Sequence, residues 1–176
     1  DSSAIKSLPI LSIKYLSVDF TQGTRVFNAV CNASLDLYKG ETLALVGESG
    51  SGKSVTAHSV LRLLPFSASH PNGEIIFEGE NLLQLGDSKI RGIRGNRIGM
   101  IFQEPMSSLN PLHTIEKQIK EVLFIHQGMG HRQAREKVLE LLEMVEIQNS
   151  KKRLGAFPHE LSGGQRQRVM IAMALA

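Results

Sequence analysis

Gly47-Glu48-Ser49-Gly50-Ser51-Gly52-Lys53-Ser54 is the stretch that decides the fold of this 176-residue chain. It matches the pattern G-x-x-x-x-G-K-[ST], a glycine-rich loop that follows a strand and opens a helix. The glycines let the backbone curl so that successive N–H groups point at a phosphate, where a Cβ would obstruct them. Lys53 adds a mobile positive charge, and Ser54 adds a hydroxyl for Mg²⁺. We therefore predict that these eight residues and Val55 bind nucleotide phosphates, with Ser54 as a Mg²⁺ ligand.

The sequence on both sides of this loop predicts an α/β fold. Residues 43–46 form a short apolar run, typical of a strand that is buried on both faces. Residues 8–38 alternate in strand fashion around a turn at Gly23, and this alternation predicts an antiparallel sheet at the start of the chain. Two further strands are predicted at residues 74–78 and 98–102, and the helix after the loop is expected to stop at Pro65.

The segment 104–160 changes to helical periodicity. Thr114 is suited to cap a helix N-terminus, and apolar residues follow it at i, i+4, i+7 and i+8. The first apolar face consists of Ile115, Ile119, Val122 and Leu123, and the second of Ala134, Val138, Leu141, Leu142 and Val145. We therefore expect a helical subdomain inserted into the sheet domain.

A second glycine-rich stretch, Leu161-Ser162-Gly163-Gly164-Gln165, comes directly before a helical segment at residues 166–176. A serine followed by two glycines predicts a second helix N-terminus with exposed N–H groups and a hydroxyl, which together suit another anion. From the residues alone, an ordinary helix-capping loop is the alternative.

Together these features resemble the ABC ATPase family. The glycine-rich loop, Gln103 at the end of a predicted strand, the helical insert and the 161–165 motif occur in the family's order and at similar spacing. The resemblance covers the whole chain. It implies a P-loop NTPase core with an antiparallel β subdomain (1–40), a P-loop core (41–103), a helical subdomain (104–160) and a signature loop and helix (161–176).

The resemblance also implies roles for individual residues. The chain would bind ATP with Mg²⁺, and Gln103 would act as a catalytic residue that contacts Mg²⁺ and the attacking water. The signature at residues 161–165 would bind ATP held by a second cassette in a head-to-tail dimer. Phe20 would stack on the adenine, a kind of contact worth about 1–3 kcal/mol. Tyr15 is the second choice, and a plain core position is the alternative for Phe20.

Gln103-Glu104-Pro105-Met106-Ser107-Ser108-Leu109-Asn110-Pro111 is similar to a segment of importers of dipeptides, oligopeptides and nickel complexes. Within that group the chain most resembles the first half of the fused two-cassette ATPases that serve microcin C type peptide uptake. The implied partners are transmembrane permease subunits, contacted near Gln103 and residues 106–112, and a second ATP-binding cassette, either fused or separate. The implied location is the cytoplasmic face of the bacterial inner membrane, as a peripheral protein.

Composition and charge agree with this location. The net charge is +3 and the basic residues are scattered, so the charge pattern does not suggest a nucleic-acid partner. The single cysteine, Cys31, cannot form an internal disulfide, which fits a reducing compartment. The longest apolar run, at residues 169–176, is far shorter than the roughly 20 residues of a transmembrane helix.

The sequence departs from the family pattern at its end. The family continues beyond the signature helix with the Walker B Asp-Glu pair, the D-loop and a switch histidine, whereas this sequence ends at Ala176. We therefore expect the C-terminal part of the core to be missing, and nucleotide binding without turnover in the chain as it stands. The alternative to a transporter is an ABC-type ATPase that works on DNA or ribosomes. Residues 104–160 lack the sustained heptads of the long coiled coils found in DNA-repair members.

Overall fold

The computed structural model describes residues 8–103 and 108–176. The chain divides into two compact units, residues 1–91 and 92–176. Met106 and Ser107, which belong to the expected membrane contact, lie outside the described residues. Among the described residues, no helix combines the length and the apolar character that crossing a bilayer requires.

The first unit contains a four-stranded antiparallel sheet with the strand order β2-β1-β3-β4. The strands are β1 (Leu11–Gln22), β2 (Arg25–Leu37), β3 (Ala68–Phe77) and β4 (Glu80–Asn81). Gly23, with a φ of 62°, makes the turn between β1 and β2. The antiparallel sheet predicted from residues 8–38 is therefore confirmed. The strand predicted at residues 74–78 is also present, as the end of β3, and it pairs with β1 in the same antiparallel sheet.

Two helices lie between or after the strands in this part of the chain. Helix α1 (Lys53–Val60) follows the glycine-rich loop and lies against β1 and β2. It ends before Pro65, as predicted, and helix α2 spans Asp87–Ile93. The core of the sheet is made of apolar side chains that are less than a tenth exposed, including Ile13, Leu16, Val18, Val30, Ile75 and Phe77.

Two predicted strands are absent from the described structure, so the predictions for residues 43–46 and 98–102 are wrong. Leu43 and Leu45 are 45% and 49% exposed, and Val46 is 89% exposed. The second segment forms only an isolated bridge between Arg94 and Ile98. The physical reason is that a strand buried on both faces needs hydrogen-bonded neighbours. Neither segment pairs with any strand of the described residues.

The second unit is helical from residue 115 onward. Its elements are α3 (Ile115–Gln127), α4 (His131–Met144), α5 (Ser150–Arg153), a 3-10 turn (Pro158–Glu160) and α6 (Gly163–Leu175). Thr114 caps α3, since its hydroxyl accepts a hydrogen bond from the backbone N–H of Lys117 at 3.3 Å. The expected helical region and its N-cap are therefore confirmed.

One apolar core joins α3, α4 and α6 of this unit. The buried residues of the two predicted faces are Ile115, Ile119, Leu123, Ala134, Val138, Leu141, Leu142 and Val145, with Val122 partly buried against them. Helix α6 adds Val169, Met170 and Ala172 to the same core. Its apolar side therefore packs on α3 and α4, while Leu175 is 53% exposed.

Candidate functional site

The glycine-rich loop leads directly into α1, so that the last residues of the loop form the N-terminus of this helix. Gly52 is the N-cap residue, with a φ of 87°, and Gly50 has a φ of 83°. These left-handed conformations are costly for any residue with a Cβ, so glycine is required at both positions. The loop residues 47–51 are exposed, and the positive end of the α1 dipole faces the space they surround.

The end of the loop is fixed from two sides. A Cβ on Gly52 would lie 2.6 Å from the Ala29 carbonyl oxygen and 3.0 Å from Val30 Cγ2, so β2 approaches the loop backbone closely. On the helix side, Thr56 donates to the Gly52 carbonyl from its N–H at 2.8 Å and from its hydroxyl at 2.9 Å. The antiparallel sheet therefore positions the last glycine of the loop.

The side chain of Lys53 folds back over the loop. Its Nζ donates to the carbonyl oxygens of Gly47 at 2.7 Å and Glu48 at 2.6 Å, and to Ser51 Oγ at 3.1 Å. All three acceptors are uncharged, whereas hydrogen bonds between an ammonium and a phosphate oxygen are charge-assisted and stronger. The ammonium is therefore held where it can exchange these acceptors for phosphate oxygens.

Ser54 is the second residue of α1, and it is exposed at the helix N-terminus. Its carbonyl oxygen lies 2.6 Å from Nδ1 of His58. Proteins usually hold Mg²⁺ through one or two side chains, together with phosphate oxygens and water. An exposed hydroxyl beside a phosphate loop fits that donor set. Within the described residues, no group of three or more His, Cys, Asp and Glu side chains is placed to hold a metal ion.

Phe20 lies on β1, opposite Phe27 of β2 and Ala68 of β3, and is half-buried. Two residues earlier on β1, Val18 pairs with Val30, the residue that approaches Gly52. Phe20, the predicted adenine-stacking residue, therefore lies on the strand that pairs with β2 next to the contact between Val30 and Gly52.

Tyr15, the second choice for this contact, is 67% exposed, and its N–H donates to Ser34 Oγ at 2.8 Å. Irregular pairing of β1 with β2 separates Tyr15 from the part of β1 opposite Val30. Phe20 therefore remains the first candidate for stacking on adenine, and this role stays a prediction.

The signature segment caps α6. Ser162 Oγ accepts from the Gln165 N–H at 3.3 Å, and Gln165 Oε1 accepts from the Ser162 N–H at 3.0 Å. This reciprocal pair is a capping box. Leu161 is buried, whereas Ser162, Gly163 and Gly164 are exposed. The predicted second helix N-terminus, with an exposed hydroxyl and glycine backbone, is therefore confirmed.

A cleft of about 780 Å³ adjoins this helix N-terminus, and its lining includes Glu146, Gln148, Ser162, Gly164 and Arg168. Arg168 crosses from α6 to the end of α4, where its Nη1 donates to the carbonyl oxygens of Val145 at 3.0 Å and Glu146 at 3.2 Å. Arg168 was not among the site residues predicted from the sequence. The available signal was its spacing of four residues from Gly164, which puts both on one helix face.

The predicted site residues fall in different units. The phosphate loop and Phe20 belong to the first unit, while Gln103 and the signature segment belong to the second. Gln103 is exposed and lies in irregular backbone, not at the end of a strand. Each unit therefore contributes its own helix N-terminus, formed by the start of α1 in one and the start of α6 in the other.

A sequence model of the ABC transporter family matches residues 30–176. The peptidoglycan transport ATP-binding protein YejF of Agrobacterium fabrum is 61% identical over 169 residues, which are 96% of this chain and 31% of that protein. The oligopeptide transport ATP-binding protein OppD of Bacillus subtilis is 49% identical, over 98% of this chain and 48% of that protein. The chain therefore spans about a third to a half of the length of these curated relatives.

Solved structures confirm the fold. The ATP-binding cassette MJ0796, in a dimeric post-hydrolysis state bound to ADP and Pi, matches with a TM-score of 0.82 at 31% sequence identity. The match covers 94% of this chain and 69% of that one. The α/β fold expected for an ABC ATPase cassette is therefore confirmed. Because the family match includes both the phosphate loop and the signature segment, the chain belongs to the ABC transporter family.

Proposed function

We propose that the chain is the ATP-binding part of an ABC importer that couples ATP binding and hydrolysis to the uptake of peptides or related small solutes. The relatives support the substrate class, because they include an oligopeptide and a dipeptide transport ATP-binding protein at 49% identity. The observation that carries the proposal is the presence of two exposed, glycine-containing helix N-termini, at α1 and α6. The first N–H groups of a helix have no acceptor within the helix itself, and they suit phosphate.

In this proposal the first helix N-terminus binds the nucleotide carried by the chain itself. Lys53 and the N–H groups of the loop hold the β- and γ-phosphates, and Phe20 stacks on the adenine. Ser54 and Gln103 are the proposed ligands of Mg²⁺, which would neutralise phosphate charge. Gln103 also orients the attacking water, a positioning role that fits its exposed amide.

The second helix N-terminus is proposed to bind ATP held by another cassette, in a head-to-tail dimer. A Cβ on Gly163 or Gly164 would meet no heavy atom of the described residues within 4 Å, and neither glycine has a left-handed φ. Glycine in a helix costs about 0.5–1 kcal/mol relative to alanine. Nothing within the described chain therefore requires this glycine pair, whereas the close approach of a phosphate to their N–H groups does.

The glycine pair gives a direct test of the dimer. Gly164→Ala should leave thermal stability unchanged or raise it, because alanine favours the helix, while it lowers ATP-dependent dimerisation and turnover. Gly86→Ala is a matched control, since a Cβ at Gly86 also meets nothing within 4 Å. Full turnover in Gly164→Ala would refute the role of the signature segment.

Permease subunits are the proposed membrane partners, with docking near Gln103 and residues 106–112 at the cytoplasmic face of the inner membrane. The structure guides the choice of cross-linking position. Leu109 is only 4% exposed and a cysteine there would be inaccessible, whereas Leu112 is 81% exposed. Leu112→Cys in the natural full-length protein should cross-link to a membrane subunit, and Ile125→Cys, at 69% exposure, is the matched control. Capture from Ile125→Cys alone would contradict this placement.

Phosphate binding is tested most directly at Lys53. Lys53→Ala should weaken ATP binding, measured by calorimetry, by well over tenfold, because charge-assisted bonds to phosphate are among the stronger ones. Lys89→Ala is the matched control, since Lys89 is an exposed lysine of the same unit whose Nζ lies 3.3 Å from Glu80 Oε1. Equal ATP affinity in the two variants would remove the basis of the proposal.

For residues 1–176 taken by themselves, we propose nucleotide binding without turnover. The loop, Lys53 and Ser54 bind phosphate, whereas the family's general base is a glutamate that follows a later strand. General-base assistance contributes about 10²- to 10⁴-fold to rate, so hydrolysis should fall to background without it. Phosphate release by the 176-residue segment that Lys53→Ala abolishes would show that another residue serves as the base.

A further inference from the structure

We propose that Arg168 is a positioning residue that sets the orientation of the signature helix for ATP turnover, a role that rests on the proposed function. Arg168 lies on α6, and its guanidinium contacts the end of α4. Its proposed effect is therefore transmitted through the first turn of α6, which carries Ser162 and Gly164.

The guanidinium makes three hydrogen bonds to the end of α4. Nη1 donates to the backbone carbonyls of Val145 at 3.0 Å and Glu146 at 3.2 Å, and to Glu146 Oε2 at 3.0 Å. Carbonyls at a helix C-terminus have no partner within the helix, and a positive charge there also suits the helix dipole. Arg168 thus binds, from a neighbouring helix, the two carbonyls that directly follow the last helical residue of α4.

The same contact fixes one face of α6. Residues three and four positions apart are neighbours on a helix, so Gln165 and Gly164 lie on the Arg168 side. Gln165 in turn forms the capping box with Ser162. A rotation of α6 about its axis would break the Arg168 bonds and move the Ser162 hydroxyl and the Gly164 N–H together.

A general loss of folding is not the expected result of removing Arg168. The two helices are already joined by buried side chains, including Leu141 and Leu142 of α4 and Val169 and Met170 of α6. Arg168 itself is 44% exposed and Glu146 is 82% exposed, so the ion pair is screened by solvent and adds little to stability. The guanidinium therefore contributes mainly to orientation, through the directed bonds to two backbone carbonyls.

The test uses the natural full-length protein and compares Arg168→Ala, Arg168→Lys and the control Arg132→Ala. Arg132 is an exposed arginine of α4 that pairs within its own helix, with Glu136 at 3.4 Å. Arg168→Ala should lower kcat about tenfold or more, because small misplacements of a binding group are costly. The ATP affinity of the phosphate loop should stay within about twofold, since Lys53 and its acceptors are unchanged. Arg168→Lys should recover part of kcat, and Arg132→Ala should behave as the unmodified protein.

A double substitution separates positioning from simple stabilisation. If Arg168 acts through the signature, Arg168→Ala should add little to the loss of kcat already caused by Ser162→Ala, because residues that act as a unit are not additive. A fully additive loss, or a kcat that Arg168→Ala leaves unchanged, would overturn the inference alone. Absence of Lys53-dependent turnover in the unmodified protein would instead overturn the proposed function, and the inference with it.

Discussion

The glycines of the phosphate loop provide a graded perturbation whose order follows from the structure. Gly52→Ala introduces a Cβ at a φ of 87° and only 2.6 Å from the Ala29 carbonyl oxygen. Gly50→Ala meets the same kind of backbone strain, at a φ of 83°, but its Cβ has no heavy atom within 4 Å. A Cβ at Gly47 would lie 2.7 Å from Ser51 Oγ, without a left-handed φ.

The magnitudes follow from these contacts. Left-handed backbone costs a residue with a Cβ about 1–2 kcal/mol, and forcing atoms into an occupied space costs about 1–3 kcal/mol more. Gly52→Ala carries both penalties, because a backbone carbonyl on β2 cannot rotate away, so the expected loss is about 2–5 kcal/mol. Gly50→Ala carries only the first penalty. At Gly47 the close atom is the end of a rotatable serine side chain, and the expected loss is within about 1 kcal/mol.

The free energy of unfolding without nucleotide is the property to measure, since a Cβ in the loop also obstructs phosphate and would confuse a binding assay. Urea denaturation of the four proteins should give the order of stability unmodified, Gly47→Ala, Gly50→Ala and Gly52→Ala. Equal losses for Gly50→Ala and Gly52→Ala would refute the argument that β2 positions the loop.

Three further predictions concern stability. Burial, followed by the charge of Arg62, lowers the pKa of His70 below its usual 6.5, so the neutral ring favours the folded chain. Stability should therefore be full above pH 6.5 and decline as pH falls below it, and His70→Gln should flatten this decline in pH-dependent denaturation. Glu116→Gln should destabilise more than Glu140→Gln by thermal unfolding. The Glu116 side chain is 19% exposed and pairs with Lys120, whose side chain is 18% exposed, whereas Glu140 is 58% exposed. Removing one partner of the more buried pair leaves a charge with less solvent around it. Thr114→Ala should cost about 1 kcal/mol in urea denaturation, because α3 loses its cap, and Thr114→Ser should keep most of that energy.

The helical part of the chain could be predicted from sequence because its information is local. Thr114 and Ser162 cap helices through hydrogen bonds to residues three positions later, so the signal and the structure lie within one turn. The apolar spacing of α3 and α4 likewise names the faces that form the core. The backbone conformation of the glycine-rich loop was predictable for the same reason, since Gly50 and Gly52 stand where the φ is left-handed.

The missed features depend on contacts between residues distant in sequence. An apolar run such as residues 43–46 indicates a preference for burial, but it does not say which strand will pair with it. Arg168 was missed for a related reason, because its partners Val145 and Glu146 lie 23 and 22 residues away in sequence. The spacing of four residues puts Arg168 on the Gly164 face of its helix, but it does not tell whether the guanidinium contacts a neighbouring helix or solvent.

The two glycine-rich segments look alike in sequence, yet the structure shows different reasons for glycine in each of them. In the phosphate loop, Gly50 and Gly52 are required by the fold itself, through left-handed backbone and the approach of β2. In the signature, Gly163 and Gly164 sit in ordinary helical backbone, and a Cβ there would meet nothing within 4 Å among the described residues. Alanine would fold at least as well at those two positions. In our proposal their role lies outside the helix that contains them, in an anion that approaches the exposed Ser162 hydroxyl and the N-terminus of α6.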